Sequence, residues 1–415
     1  MQYGLIGEKL GHSFSAEIHQ KLKSNPYTLC ELAEDEIPAF FAAKDFCAIN
    51  VTIPYKTTVI PYLSHISEQA YAIGAVNTVV NRGGELWGYN TDFFGMQALL
   101  AHAGITVKDK KVAILGTGGT SKTAYAVAEF LGAKEILTVS RRAGEGVVTY
   151  TELTEAHTDV QVIINTTPVG MYPNADGCPV SLSSFDRLEG VIDAIYNPLR
   201  TRLVLEAQGK GIKAEGGLYM LVAQAVRASE LFLDCTYDKE KTTETIYLDL
   251  IQKTENIVLS GMPGAGKSTV GKRLAEVLKR DFFDLDEEIV RVAGCPISDI
   301  FANEGEAAFR NLETRILSEV LSHKKNIVLA TGGGAILRDE NVDLLHRNGK
   351  IYFIDRPLAA LLPTPDRPLA SSAEDIRRRY EERYALYCAT ADCCIDGDGS
   401  IDEVTERIRK EFFKQ

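Results

Sequence analysis

Two glycine-rich turns constrain this chain more than any other feature. KKVAILGTGGTSKTAYAVAEFLG at 110–132 and NIVLSGMPGAGKSTVGKRLAE at 256–276 each run from a short apolar stretch into glycines and then into an amphipathic stretch at helical spacing. A strand that turns sharply into a helix aims backbone N–H groups and the positive end of the helix dipole at one point, where phosphate binds well. Two such turns therefore predict two nucleotide sites. The same alternation recurs in EILTVS, VQVIINTT, GVIDAIY, NIVLATGGG and KIYFID, the pattern of parallel sheets covered by helices. The fold class is α/β. YGLIG and CAINVTIP read as strands too, and because they precede Gly116 they are assigned to a separate lobe.

With 415 residues and 45% hydrophobic content, the chain can bury ample core and spans two or three domains. GLYMLVAQAVRASELFLD and KEKTTETIYLDLIQ read as helices, and the polar KTEN at 253–256 is expected as a short linker before the second half. Acidic residues number 57 against 45 basic, a net charge of −12 with no long basic block, so no nucleic-acid or anionic-membrane partner is expected. MQYGLIGEKLGHS lacks the basic and apolar regions of a signal peptide, and no apolar run reaches the roughly 18 residues of a membrane helix. A cytoplasmic protein is expected. Eight cysteines without a C-x-x-C pair and seven dispersed histidines predict reduced thiols and no metal cage.

Gly261, Gly266, Lys267 and Ser268 satisfy G-x-x-x-x-G-K-[ST], with Gly264, Ala265 and Thr269 completing the turn. Glycines let the backbone wrap phosphate, Lys267 adds a point charge, and the Ser268 hydroxyl can ligate Mg2+. Downstream, FFDLDEEIV carries Asp284 and Asp286, GEAAFRNLE sets Arg310 and Glu313 on one helical face, and LATGGGA brings bare glycines to a strand end. In this order the motifs resemble shikimate kinase, over residues 257–415. The resemblance implies a parallel α/β P-loop domain, similar to nucleoside monophosphate kinases, that uses ATP and Mg2+. Asp286 would activate the 3-hydroxyl of shikimate, Arg310 and Arg383 would grip the carboxylate, and Gly333 would touch the ring. Asp284 would position Mg2+, and Arg367 in DRPLA would cover the phosphates. The segment before it, LAALLPTPDRPLA, is shorter than the family's usual lid and lacks a further arginine.

Gly116, Gly118 and Ser121 fit G-x-G-x-x-[small], with Gly119 and Thr120 between them. At the end of the next strand stand Ser140, Arg141 and Arg142, where two guanidinium groups suit a 2′-phosphate, so NADP(H) is expected over NAD. GHSFSAEIH, INVTIPYK, GAVNTVV, GYNTDFFG, NTTPVGMYP, IYNPLRT and GLYMLVAQA, in that order, resemble shikimate dehydrogenase over residues 1–252. The resemblance implies a substrate lobe at about 1–103 plus 220–252 and a Rossmann-type NADP lobe at about 104–219. Ser13 and Ser15 would bind the substrate carboxylate. Thr52, Asn77, Asp92, Tyr196 and Gln224 would line the substrate, and Gly217 would lie near the nicotinamide. Lys56 and Asp92 would be the catalytic pair. Tyr55, Ser121 and Arg142 depart from the family's usual residues.

Both halves thus point to one small molecule: reduction of 3-dehydroshikimate to shikimate with NADPH, then phosphorylation of shikimate by ATP. The alternatives are a quinate-preferring dehydrogenase half, a different small-molecule P-loop kinase, or one half kept as a regulatory binding module.

Overall fold

The computed structural model describes residues 1–415 except His12, Asn25, 362–372 and Gln415. The chain divides into two compact units, Met1–Tyr247 and Leu248–Gln415. The division falls inside the helix Lys239–Thr254, and only Glu255 separates that helix from the strand beginning at Asn256.

The first unit holds two six-stranded sheets. Its first sheet comprises β1 (Tyr3–Gly7), β2 (Tyr27–Glu31), β3 (Ala48–Val51), β4 (His65–Ile66), β5 (Thr78–Arg82) and β6 (Glu85–Tyr89), in the order β2-β1-β3-β5-β6-β4. This sheet is mixed, not wholly parallel as the strand-helix alternation predicts: β5 runs antiparallel to β3 and to β6. The cause is local. Gly83 and Gly84, both at positive φ, join β5 to β6 in the two-residue turn that matches strand twist in a hairpin.

The second sheet is parallel throughout, with β7 (Lys111–Leu115), β8 (Glu135–Ser140), β9 (Val147–Thr149), β10 (Val162–Asn165), β11 (Gly190–Asp193) and β12 (Lys213–Glu215) in the order β12-β11-β10-β7-β8-β9. Strands β7, β10 and β11 are buried along their full length or nearly so, which is why they read as unbroken apolar runs. The helices Asp92–His102 and Leu218–Leu233 pack tightly together. A Cβ on Gly95 would lie 2.7 Å from the Met220 carbonyl oxygen and 3.0 Å from Gln224 Cβ, so only glycine permits this approach.

In the second unit, β13 (Asn256–Ser260), β14 (Asp281–Asp284), β15 (Ile327–Ala330), β16 (Gly349–Asp355) and β17 (Cys393–Asp396) form one parallel sheet in the order β14-β15-β13-β16-β17. The connection from β13 leads to β14 on one side of the sheet and that from β16 to β17 on the other, and ligands of such folds bind at the carboxyl ends of the strands where the order reverses. Ile257, Leu259, Leu274, Tyr352 and Phe353 are among the buried residues beneath it.

Replacing Gly95 with valine is expected to destabilise the first unit by about 1–3 kcal/mol through overpacking. Trp87, the chain's only tryptophan, lies on β6 and reports that unfolding by fluorescence during denaturant titration. An unchanged midpoint would contradict the packing described.

Candidate functional site

In the first unit, β3 ends at Val51 and the chain turns through 52–59, carrying Lys56. That turn is anchored on both sides of the lysine. Buried Tyr55 donates its hydroxyl to the Leu32 carbonyl at 2.6 Å, and the Lys56 carbonyl accepts from Val76 N–H at 2.8 Å. Asp92 is the first residue of the helix Asp92–His102, where a carboxylate is favoured by the helix dipole. Lys56 Nζ donates to Asp92 Oδ2 at 2.6 Å, and both side chains are largely removed from solvent. The carboxylate replaces hydration that the ammonium loses on burial.

Around Asp92 runs a buried polar network. Asn77 Oδ1 accepts from Thr91 N–H at 2.7 Å, and Asn77 Nδ2 donates to Thr91 Oγ1 at 3.1 Å. Thr91 Oγ1 donates to Gln224 Oε1 at 3.2 Å. Thr91 is the member that sequence reasoning missed, although it stands next to Asp92 in GYNTDFFG. Ser13 and Ser15 meet through their hydroxyls at 3.0 Å at the start of the helix Ser15–Lys21. Tyr196 packs its ring 5.9 Å from that of Phe14. Half-buried Thr52 donates its N–H to the Ile6 carbonyl at 3.0 Å.

The first glycine turn follows β7 and leads into the helix Gly119–Phe130, capped by Gly118. Gly116 takes φ 114°, and the Ser121 hydroxyl closes the turn by donating to the Gly116 carbonyl at 2.6 Å. Gly118 is exposed, and a Cβ there would meet nothing within 4 Å, which leaves space beside the helix N-terminus. The turn also touches the lysine: a Cβ on Gly119 would lie 3.4 Å from Lys56 Cβ and Cδ, and Lys56 Nζ reaches Thr120 Oγ1 at 3.5 Å. Ser140 ends β8, and Arg141 and Arg142 follow it with exposed side chains. Open space at the turn and two free-standing guanidinium side chains fit a dinucleotide with a 2′-phosphate. Gly217 caps the helix Leu218–Leu233, and its missing Cβ leaves room for the Ala194 carbonyl.

Sequence reasoning also missed the group beneath these loops. Asp193, at the carboxyl end of β11, is fully buried and accepts from Asn165 Nδ2 at 3.0 Å, Ile195 N–H at 3.0 Å and Thr201 Oγ1 at 2.7 Å. Burial raises its pKa to about 6, outweighing the three donors. Asn165 Oδ1 in turn accepts from Thr167 N–H, so one carboxyl ties the loop after β10 to the loop carrying Tyr196. An acid ending an otherwise apolar strand, GVID, was the available signal.

In the second unit, Gly261, Gly264 and Gly266 all adopt positive φ, and Gly266 caps the helix Lys267–Leu278. Buried Lys267 donates Nζ to the carbonyls of Gly261 and Met262 at 2.8 and 3.1 Å. Ala265 is buried, while Thr269 faces solvent. Ser268 Oγ donates to Asp284 Oδ2 at 2.5 Å, and Asp284 also caps the helix Leu285–Ala293 by accepting from Asp286 N–H. The glycines after β15 sit against charged side chains. A Cβ on Gly332 would lie 2.6 Å from Asp286 Oδ1 and 3.1 Å from Glu313 Oε1. One on Gly334 would lie 2.2 Å from Arg310 Nη2.

Arg310 donates to Glu313 Oε2 at 2.7 Å, in a pair that is almost wholly buried. Burial pushes the Glu313 carboxyl up, and the Arg310 charge opposes that. Arg383 Nη1 and the Tyr387 hydroxyl donate to the Gly333 carbonyl at 3.1 and 2.5 Å. Tyr387 was not anticipated, although it lies one helical turn beyond Arg383. Arg367 lies outside the described residues.

Fold and site together define a dinucleotide-dependent oxidoreductase unit followed by a P-loop phosphotransferase unit. Residues 5–79 match the family model for the shikimate dehydrogenase substrate binding domain, and residues 263–412 match that for shikimate kinase. The shikimate dehydrogenase (NADP(+)) of Clostridium beijerinckii is 37% identical over 262 residues, covering 59% of this chain and 96% of that protein. The chain belongs to the shikimate dehydrogenase family and carries a shikimate kinase domain in its second half. Among solved structures, shikimate dehydrogenase 1 from Peptoclostridium difficile is 37% identical with a TM-score of 0.56, covering 60% of this chain and 98% of that one. A chorismate mutase/shikimate 5-dehydrogenase fusion protein from Clostridium acetobutylicum is 36% identical with a TM-score of 0.56, covering 60% and 97%.

Asp193 generates a pH prediction. Its folded pKa lies above the unfolded value, so the stability it contributes is complete below about pH 4 and is lost as pH rises through about 6. Following unfolding by Trp87 fluorescence, the stability advantage of the natural protein over Asp193→Asn is expected to shrink by on the order of 2–3 kcal/mol between pH 4 and 7. A difference that stays constant across that range would mean the carboxyl is ionised throughout.

Proposed function

We propose that this chain is a bifunctional enzyme of the shikimate pathway, reducing 3-dehydroshikimate to shikimate with NADPH and phosphorylating shikimate at its 3-hydroxyl with ATP and Mg2+. The observation that carries this reading is that one chain holds two complete constellations: the Lys56–Asp92 pair against a dinucleotide turn, and the Lys267–Ser268–Asp284 cradle in the unit that holds Asp286, Arg310 and Arg383.

In the reductase, NADPH supplies the hydride that reaches the carbonyl carbon. The turn at Gly116, Gly118, Gly119, Thr120 and Ser121 would hold the pyrophosphate, and Ser140, Arg141 and Arg142 would receive the adenosine end with its 2′-phosphate. Lys56 polarises the substrate carbonyl and gives its proton to the developing alkoxide, so that hydride and proton together make the alcohol. Asp92 holds that lysine in place and would accept from a substrate hydroxyl. Ser13 and Ser15 hold the carboxylate. Asn77, Thr52, Gln224 and Tyr196 would orient the ring, and Gly217 would lie near the nicotinamide.

In the kinase, Gly264, Ala265, Gly266, Lys267 and Thr269 would cradle the ATP phosphates, Ser268 and Asp284 would hold Mg2+, and Arg367 would add its charge to the nucleotide site. Asp286 accepts the proton of the acceptor hydroxyl as it attacks. Arg310, kept in place by Glu313, and Arg383 bind the carboxylate, and Gly333 contacts the ring. Such a site accelerates transfer chiefly by positioning and charge neutralisation. A cytoplasmic setting is part of this proposal, supported by the eight free thiols, which suit a reducing compartment.

Lys56→Ala is expected to lower kcat of the reductase by about 10²–10⁴-fold, the usual worth of a positioned acid. Kinase turnover in the same preparation should be unaffected, and Lys267→Ala should give the reverse pattern; loss of neither activity would defeat the assignment. Gly334→Ala tests the acceptor pocket. The added methyl meets the movable end of Arg310, so the fold should survive while the guanidinium shifts from its place. KM for shikimate in the kinase reaction should rise on the order of 10-fold, the worth of a charge-assisted hydrogen bond weakened. An unchanged KM would remove Arg310 from the pocket.

A further inference from the structure

Arg356 directly follows the last residue of β16, and β16 is the neighbour of β13 in the sheet. Its guanidinium therefore emerges beside the glycine turn that β13 feeds. The two lie near each other: a Cβ on Gly266 would be at van der Waals distance, 3.8 Å, from Arg356 Nη1. The guanidinium thus sits against the residue that caps the helix Lys267–Leu278, where phosphate is drawn by backbone N–H groups.

Arg356 Nε is shielded from solvent and has no hydrogen-bond partner among the described residues. Among the described residues no carboxylate forms an ion pair with Arg356, and its neighbour Asp355 already accepts from the Tyr384 hydroxyl at 2.9 Å. The other cations of this site are engaged within the protein. Lys267 donates to the turn's own carbonyls, Arg310 to Glu313, and Arg383 to the Gly333 carbonyl. A guanidinium N–H withdrawn from water without an acceptor is costly, and an anionic ligand removes that cost. Arginine's fixed fork of donors suits adjacent phosphate oxygens better than a lysine does.

We propose that Arg356 is a ligand of the nucleotide polyphosphate, gripping it beside Gly266 and sharing with Lys267 the neutralisation of its charge. This assignment rests on the kinase reading given above. It makes the strand end after β16, and not only the glycine turn, part of the nucleotide site.

The test uses the full chain, with MgADP binding followed by calorimetry and steady-state phosphorylation of shikimate. Arg356→Ala is expected to weaken MgADP about 10- to 100-fold, the worth of a hydrogen bond to a charged group. KM for ATP should rise in parallel, KM for shikimate should stay within about twofold, and Arg356→Lys should recover part of the loss. Should the alanine variant fail to fold, Arg356→Gln keeps much of the side chain's bulk without its charge and should show the same loss. MgADP affinity within about twofold of the natural protein in a folded Ala or Gln variant overturns the proposal, as does a rise in shikimate KM as large as that for ATP. Absence of MgADP binding by the natural protein would overturn the kinase reading itself.

Discussion

A cation taken out of water is tolerated only beside a group that replaces its hydration, and both halves of this chain are organised around such a pair. In the first, Lys56 and Asp92 lie 2.6 Å apart with little exposure; in the second, Arg310 meets a fully buried Glu313 at 2.7 Å. The first pair joins two chain segments, and the second lies within one helix. Asp92 stands on a helix N-terminus and Lys56 on an anchored turn, so the ion pair fixes the turn relative to the helix. Arg310 and Glu313 share one helix and fix a guanidinium over the glycines after β15.

The glycines complete this arrangement by what they lack. At Gly332 and Gly334 the missing Cβ lets Asp286 and Arg310 approach the backbone. Small residues are therefore needed where charged side chains must press against main chain. The same geometry puts a proton donor beside one nucleotide turn and a carboxylate acceptor near the other. That difference suits ketone reduction, which consumes a proton, and hydroxyl phosphorylation, which releases one.

Both glycine turns, the flanking strands and most of the site could be read in the sequence because each is a local pattern: a strand, a turn of fixed spacing and a helix. The hairpin at Gly83–Gly84 was also local, but its neighbours read as strands of a parallel lobe, and the antiparallel pairing went unseen. Other features depend on contacts between distant segments. Asp193 meets Asn165 and Thr201 only once three loops converge, and Thr91 meets Gln224 across 133 positions. Arg356 was invisible for the same reason, because only the pairing of β16 with β13 brings it to Gly266. Residue type did not distinguish it from any other surface arginine.

The central claim is that one hydroxylated ring acid is made in the first unit and consumed in the second. Its most direct test supplies the purified chain with 3-dehydroshikimate, NADPH and MgATP, and follows nicotinamide oxidation and ADP release together. The account predicts that ADP appears only when NADPH is present, in a final amount equal to the NADPH oxidised. NADPH oxidation without accompanying ADP, or ADP release indifferent to NADPH, would contradict it.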